Sequence, residues 1–102
     1  MALATENNSV PYLLGRFFAY AEHDIGVDKF NQPKVFEQVM MTPRIGFGVL
    51  ANKHSKTART HNDALTEIAK DLPADLPETF GLEAQGEFVI GYYHQKHAAN
   101  LY

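Results

Sequence analysis

The sequence predicts an all-α protein, a compact bundle of four to five helices in one domain spanning residues 1–102. Three observations support this prediction. Apolar residues recur at spacings of three and four in several separate stretches, as in amphipathic helices. Only residues 45–50 look like a strand, and a lone strand has nothing to pair with. The chain has 102 residues, of which 45% are hydrophobic and 21% charged, values that suit a single globular domain.

The first predicted helix runs from about residue 9 to residue 24. Asn8 or Ser9 can cap its N-terminus, Pro11 suits its first turn, and Gly26 is placed to end it. Its apolar face is formed by Val10, Leu13, Leu14, Phe17, Phe18, Ala21 and Ile25.

The second predicted helix is short because Pro43 is expected to break or kink it. Its apolar positions are Val35, Phe36, Val39 and Met40. Helical spacing then resumes through Phe47, Leu50, Ala51, His54 and Ala58. Gly46 and Gly48 disfavour a helix here, and residues 45–50 could form a short strand instead. We predict a helix, since no second strand-like run is available to pair with it.

Two further helices are predicted in the last part of the chain. Thr60 followed by Asp63 resembles a capping box, and it precedes a short helix with Leu65, Ile68, Ala69 and Leu72 on its apolar face. A connector containing Pro73 and Pro77 comes next. The last helix begins near Gly81 or Leu82. One of its flanks carries Leu82, Gln85, Gly86, Val89 and Tyr93, and the adjacent flank carries Phe88, Tyr92 and Gln95.

Glycines inside predicted helices indicate where two helices approach closely. Each glycine in a helix interior costs roughly 1 kcal/mol relative to alanine, so its presence needs a reason. Gly86 and Gly91 lie in the last helix beside large side chains that can bury next to a crossing, and Gly15 provides a matching recess in the first helix. We therefore predict that the first and last helices cross at these glycines.

The residues that catalysis or metal binding would need are scarce. The absence of cysteine excludes thiol chemistry and disulfides. Ser9 and Ser55 lie outside any nucleophile motif, and His23 and Asp24 are adjacent, so on a helix they do not face each other. Four histidines could be combined into a metal site, but they match no ligand motif. These are His54, His61, His94 and His97. We expect no enzymatic activity, no cofactor and no metal.

Charge is distributed unevenly along the chain, whose net charge is −3. Residues 29–62 contain six basic residues and one acid, a net charge of +5, whereas residues 63–87 contain one lysine and seven acids, a net charge of −6. Within the basic stretch, Lys53, Lys56 and Arg59 step by three, and Arg44 lies earlier. On one helix they can form a stripe suited to phosphates, which are bound through charge without reading sequence. The alternative is a solvated lysine-rich face.

The N-terminus and the apolar runs argue against secretion and membrane insertion. "MALATENNSV" lacks the basic and apolar regions of a secretory signal. No apolar run approaches the roughly 18 residues that span a bilayer. We therefore expect a soluble cytoplasmic protein that contacts no membrane.

Two motifs, taken together, resemble a known family. "PYLLGRFFA" (11–19) and "LEAQGEFVIGYYHQ" (82–95) are similar to the two signature ends of the C-terminal domain of the large subunit of the type I-C CRISPR effector, Cascade. In that family the domain is also produced as a free small subunit. The segment "KFNQPKVFEQVM" is similar to the family's proline followed by Val-Phe.

The resemblance implies a non-catalytic small subunit of Cascade that acts in antiviral defence. It places Leu13, Leu14, Phe17, Phe88, Tyr92 and Tyr93 in the core. It also implies that basic side chains hold the target or non-target DNA strand of the R-loop, a role that falls on Arg44, Lys53, Lys56 and Arg59. The expected partners are the large and backbone subunits and neighbouring copies of the chain, with CRISPR RNA contacted indirectly.

Two other interpretations stay open at this point. A phage or mobile-element protein could imitate the subunit and block CRISPR interference, and a helical adaptor could act without any nucleic acid. Genomic neighbourhood distinguishes such a mimic from a Cascade subunit, since a subunit is encoded beside effector genes and a mimic beside phage genes. Co-purification with CRISPR RNA and the backbone subunits would separate the second.

Overall fold

A computed structural model of the chain describes residues 9–25, 32–55 and 62–99. These residues form five α-helices and no strand. The helices are α1 (Val10–Ile25), α2 (Gln32–Met41), α3 (Pro43–Ser55), α4 (Asn62–Lys70) and α5 (Leu82–Ala98). The predicted all-α bundle is thus confirmed, and the alternative of a strand over residues 45–50 is wrong.

α1 is the central helix of the bundle, buried along most of its length. Its N-terminus is capped by Ser9, whose hydroxyl oxygen accepts a hydrogen bond from the backbone N–H of Tyr12 at 3.4 Å. α1 packs chiefly against α5 and also contacts α2, α3 and α4. Gly26, predicted to end this helix, lies outside the described residues.

The predicted crossing of the first and last helices is confirmed at Gly15 and Gly91. A Cβ atom at Gly15 would collide with the backbone of α5, including the amide nitrogen of Tyr92 at 2.7 Å. A Cβ atom at Gly91 would collide with the backbone of Tyr12, whose Cα would be 3.1 Å away. Gly86 was expected at the same contact but is exposed, and nothing lies within 4 Å of a Cβ built there.

The face of α5 that meets α1 carries Phe88, Gly91, Tyr92 and Gln95, all buried. Two members of the other predicted flank are exposed, since 86% of Leu82 and 47% of Tyr93 is accessible to solvent, whereas Val89 is half-buried against the core. The expectation that Tyr93 belongs to the core is therefore wrong. Neighbouring helical residues point about 100° apart, so the face that buries Tyr92 turns Tyr93 outward. Leu13, Leu14, Phe17 and Phe88 are buried as expected.

Pro43 separates α2 from α3, as predicted. Thr42 bridges the junction: its backbone N–H and hydroxyl both donate to the carbonyl of Gln38, at 2.8 and 2.9 Å. The backbone of α2 lies so close to Gly46 that an added Cβ would collide with Gln38 and Val39. Gly46 therefore lets α3 fold back onto α2, which gives a packing reason for a residue that disfavours helix formation. Gly48 is exposed and has no such neighbour.

The connector between α4 and α5 is attached to the junction of α2 and α3. The N–H of Phe80 donates to the carbonyl of Met41 at 3.1 Å, and the N–H of Arg44 donates to the carbonyl of Pro77 at 3.2 Å. Leu76 and Phe80 of the connector are buried. Thr60, the predicted cap of α4, lies outside the described residues.

Aromatic side chains from three helices form the centre of the core. They meet edge to face, with ring centroids 5.0–6.1 Å apart, the geometry that aromatic pairs prefer. The four rings belong to Phe18, Phe36, Phe88 and Tyr92. This cluster joins α1, α2 and α5, while Phe17 meets Phe47 of α3 at 4.9 Å.

Candidate nucleic-acid interface

The basic residues selected from the sequence lie on and after α3. Arg44 is the second residue of that helix, and Lys53 lies near its C-terminal end. Lys56 and Arg59 lie outside the described residues, and the side chain of Lys53 is not described either. The predicted spacing of Lys53, Lys56 and Arg59 along one helix stays a prediction, because α3 is described as far as Ser55.

Arg44 is held on the protein surface by the connector. Its Nε–H donates to the carbonyl of Leu76 at 2.8 Å, and its Nη1 lies 3.3 Å from Oε1 of Glu78. The Arg44 and Glu78 side chains are 54% and 79% exposed. Such a pair contributes little in water, about 0–1 kcal/mol. A phosphate can therefore compete with Glu78 for this guanidinium, while the bond to Leu76 keeps it in place.

Arg44 and Lys53 do not share one face of α3. They are nine positions apart in the sequence. At about 100° and 1.5 Å per residue, that separation is about half a turn around the helix axis and about 13 Å along it. A straight helix therefore cannot place Arg44 and Lys53 in one stripe.

Acidic side chains are concentrated on α4 and the connector. α4 and the connector expose Asp63, Glu67, Asp71, Asp75 and Glu78. Lys70 belongs to this surface, and the hydrogen bond that it donates to Glu67 at 2.8 Å raises its pKa above the ordinary value.

His54 and His94 each form a hydrogen bond with a residue of α1. Tyr12 and His94 form a hydrogen bond, with 2.9 Å between the hydroxyl oxygen and Nδ1. His54 is bonded to Asp24, 2.8 Å away. His61 lies outside the described residues, and His97 is exposed. Within residues 9–25, 32–55 and 62–99, no three His, Asp or Glu side chains are grouped so as to hold a metal ion.

A buried polar cluster joins α1 to α5 beside the aromatic core. The Tyr92 hydroxyl donates to Oε1 of Glu22 at 2.6 Å, and Lys96 Nζ lies 3.6 Å from the same oxygen. Nearby, Gln95 accepts from Nε–H of Arg16 at 2.8 Å and donates to the Tyr20 hydroxyl at 3.1 Å. These bonds satisfy polar groups that would otherwise be costly to bury.

The sequence analysis did not identify Glu22 and Asp24 as buried, although their positions in the helical pattern indicated it. Glu22 follows Phe18 by four positions, and Asp24 follows Phe17 by seven, so both carboxylates lie on faces that otherwise bury apolar side chains. A carboxylate at such a position requires a partner, because an unpaired buried charge is very costly. The partners Tyr92 and His54 are too distant in sequence to be identified from that pattern.

None of the five helices in the described residues is long and apolar enough to cross a membrane.

Comparison with known proteins identifies the family. No curated protein matches the sequence. The model of a CRISPR-associated protein family, Cas_Csd1, matches residues 1–100. Because this match covers nearly the whole sequence, the chain belongs to the Csd1 family of CRISPR-associated proteins, components of the type I-C Cascade.

Proposed function

We propose that the chain is a non-catalytic small subunit of the type I-C Cascade and holds a DNA strand of the R-loop through Arg44, Lys53, Lys56 and Arg59. The separation of charge is the observation that carries this proposal. Residues 29–62 have a net charge of +5, whereas residues 63–87 have a net charge of −6 and most of their carboxylates are exposed. Membership of the Csd1 family supports the assignment to this complex.

The proposed contacts are electrostatic and independent of sequence. Lys and Arg bind phosphates largely by releasing condensed counterions, so binding weakens with salt. With a net charge of −3, the isolated chain is expected to bind DNA only in the nonspecific range of about 10⁻⁴ to 10⁻⁶ M. In a complex that already holds guide RNA and target, the same side chains act at high effective concentration.

The test replaces Arg44, Lys53, Lys56 and Arg59 with Ala in the reconstituted complex. The complex should assemble, target binding should weaken to a similar extent for different targets, and the log–log salt slope should flatten by about 0.7–0.9 for each lost phosphate contact. The matched control is Lys70→Ala, which removes a lysine from the acidic surface and should change neither quantity. Unaltered affinity and slope in the fourfold variant would refute the proposal.

Arg44 allows a second test because its carboxylate neighbour is known. Glu78→Gln removes the charge that competes with a phosphate, so it should strengthen target binding at low salt. That gain should disappear when Arg44 is replaced with Ala, because the guanidinium that Glu78 competes for is then absent. An equal gain in both backgrounds would show a general charge effect, and Arg44 would be withdrawn from the proposed site.

A further inference from the structure

α5 carries a second apolar face, on the side opposite the one that packs against α1. Leu82, Ile90 and Tyr93 are large apolar side chains that remain exposed. Together with Gly86 and His97 they recur at spacings of four, four, three and four. At about 100° per residue these positions lie within about 80° around the helix axis. In the described part of the chain, α5 contacts only the helices α1 and α2, and both lie on its buried side.

The fold of a single copy gives no reason for Gly86. A glycine in a helix interior costs roughly 1 kcal/mol relative to alanine. No atom of the described residues lies within 4 Å of a Cβ built at Gly86. Gly91, on the buried side of the same helix, lets the backbone of α1 approach closely. Gly86 provides an equivalent recess on the outer face, where the backbone or a large side chain of a second helix can enter.

The polar residues beside this outer face favour an antiparallel partner. Glu83 and Glu87 lie in the first half of α5 and His94 and His97 in the second half, all along one edge of the face. If two copies pair antiparallel about a two-fold axis at Ile90, Glu83 of each lies opposite His97 of the other, and Glu87 lies near His94. A carboxylate accepts hydrogen bonds from an imidazole N–H. A parallel pair in register would instead place carboxylate against carboxylate.

We propose that the outer face of α5 binds the same face of a second copy of this chain, antiparallel and about a two-fold axis at Ile90. The two Ile90 side chains meet at the axis, and Tyr93 of each copy enters the recess at Gly86 of the other. Tyr93 is held in place by Tyr92, whose ring it meets edge to face at 5.1 Å. The pairing does not depend on the DNA contacts proposed above.

The size of the face determines how strong the pairing is. From Leu82 to His97 the face is about 22 Å long, and a helix is about 10 Å wide. Such a strip is smaller than the roughly 800 Å² that each partner buries in a stable complex of standard size. The pair is therefore expected to be weak and to form in concentrated solution.

Disulfide crosslinking tests the arrangement, because the chain has no cysteine of its own. Ile90→Cys should form a linked dimer on mild oxidation, since the two positions adjoin at the axis. The two Glu83 positions lie about 21 Å apart along the axis, beyond the roughly 7 Å between Cα atoms that a disulfide spans. Glu83→Cys should therefore crosslink only when mixed with His97→Cys. Lys70→Cys, on α4, controls for random collision. Ile90→Cys that crosslinks no more than Lys70→Cys would refute the proposal.

Sedimentation of the full chain over a concentration series measures the association itself. The mass should rise towards that of a dimer with increasing concentration. Ile90→Glu places two carboxylates against each other and should raise the dissociation constant at least about tenfold. The matched control is Ile45→Glu, which makes the same change at an exposed isoleucine of α3 and should leave the association unchanged. A wild-type chain that stays monomeric at every concentration would refute the pairing.

An exchange of the polar residues provides an independent test. Glu83→Lys and His97→Glu should each weaken the pairing, because two donors or two acceptors then lie opposite each other. A mixture of the two variants should pair more tightly than either alone, since the introduced lysine meets the introduced glutamate. Equal association in the mixture and in the separate variants would contradict the antiparallel arrangement. If the wild-type chain does not self-associate and Ile90→Glu only impairs incorporation into the complex, the face binds another subunit and the proposed pairing is wrong.

Discussion

Replacement of Gly91 with Ala tests the crossing of α1 and α5 most directly. The added Cβ would collide with the carbonyl group of Tyr12 and would lie 3.1 Å from the Cα atom of Tyr12. These are backbone atoms, so no side-chain rotation can relieve the collision and the two helices must separate. We expect the high end of the usual overpacking cost of about 1–3 kcal/mol. The better helix propensity of alanine offsets about 1 kcal/mol of this cost.

The net expectation for Gly91→Ala is a loss of about 2 kcal/mol, which for a domain of this size lowers Tm by about 8–16 °C. The matched control is Gly86→Ala in the same helix, where nothing lies within 4 Å of the added Cβ. That variant keeps only the propensity gain of up to about 1 kcal/mol and should raise Tm. Thermal unfolding followed by circular dichroism measures both. The packing argument is refuted if Gly91→Ala melts at or above the temperature of Gly86→Ala.

Three further outcomes are expected. Tyr92→Phe should cost about 1–3 kcal/mol in urea unfolding because it removes the hydrogen bond from the Tyr92 hydroxyl to the buried carboxylate of Glu22, whereas Tyr93→Phe, at an exposed position, should be neutral. Gly46→Ala should destabilise the fold, since its Cβ would enter the backbone of α2, and Gly48→Ala should not; similar melting curves would contradict this. A chelator should leave Tm unchanged, and a stoichiometric metal in the purified protein would overturn the expectation of no metal.

The sequence determined the helices because their signals are local. The three-and-four spacing of apolar residues placed α1 within about one residue of its observed bounds, and the predicted start of α5 near Gly81 or Leu82 agrees with the observed one. Pro43 marked the end of α2. The Csd1 family was also accessible from the sequence, since the motifs that carry the resemblance lie in α1 and α5. The uneven distribution of charge, which supports the proposed DNA contact, can likewise be read from the composition of each segment.

Tertiary structure decided which glycines are needed and which face of α5 is buried. Gly86 and Gly91 have the same local helix propensity, and only the path of α1 makes Gly91 the contact and leaves Gly86 exposed. Tyr92 and Tyr93 are the same residue type in adjacent positions, so the rotation of α5 about its axis determines which of them enters the core. That rotation depends on contacts with residues about 75 positions earlier, which no local pattern contains.

The buried bonds of the charged residues were also decided by tertiary structure. Asp24 looked like a neighbour of His23, yet its side chain is bonded to His54, 30 residues later in the sequence. Charge is a property of each residue and can be counted from the sequence. The partner, the burial and the orientation of a charged side chain depend on how helices distant in sequence pack together. Those three properties determine what the charge can do.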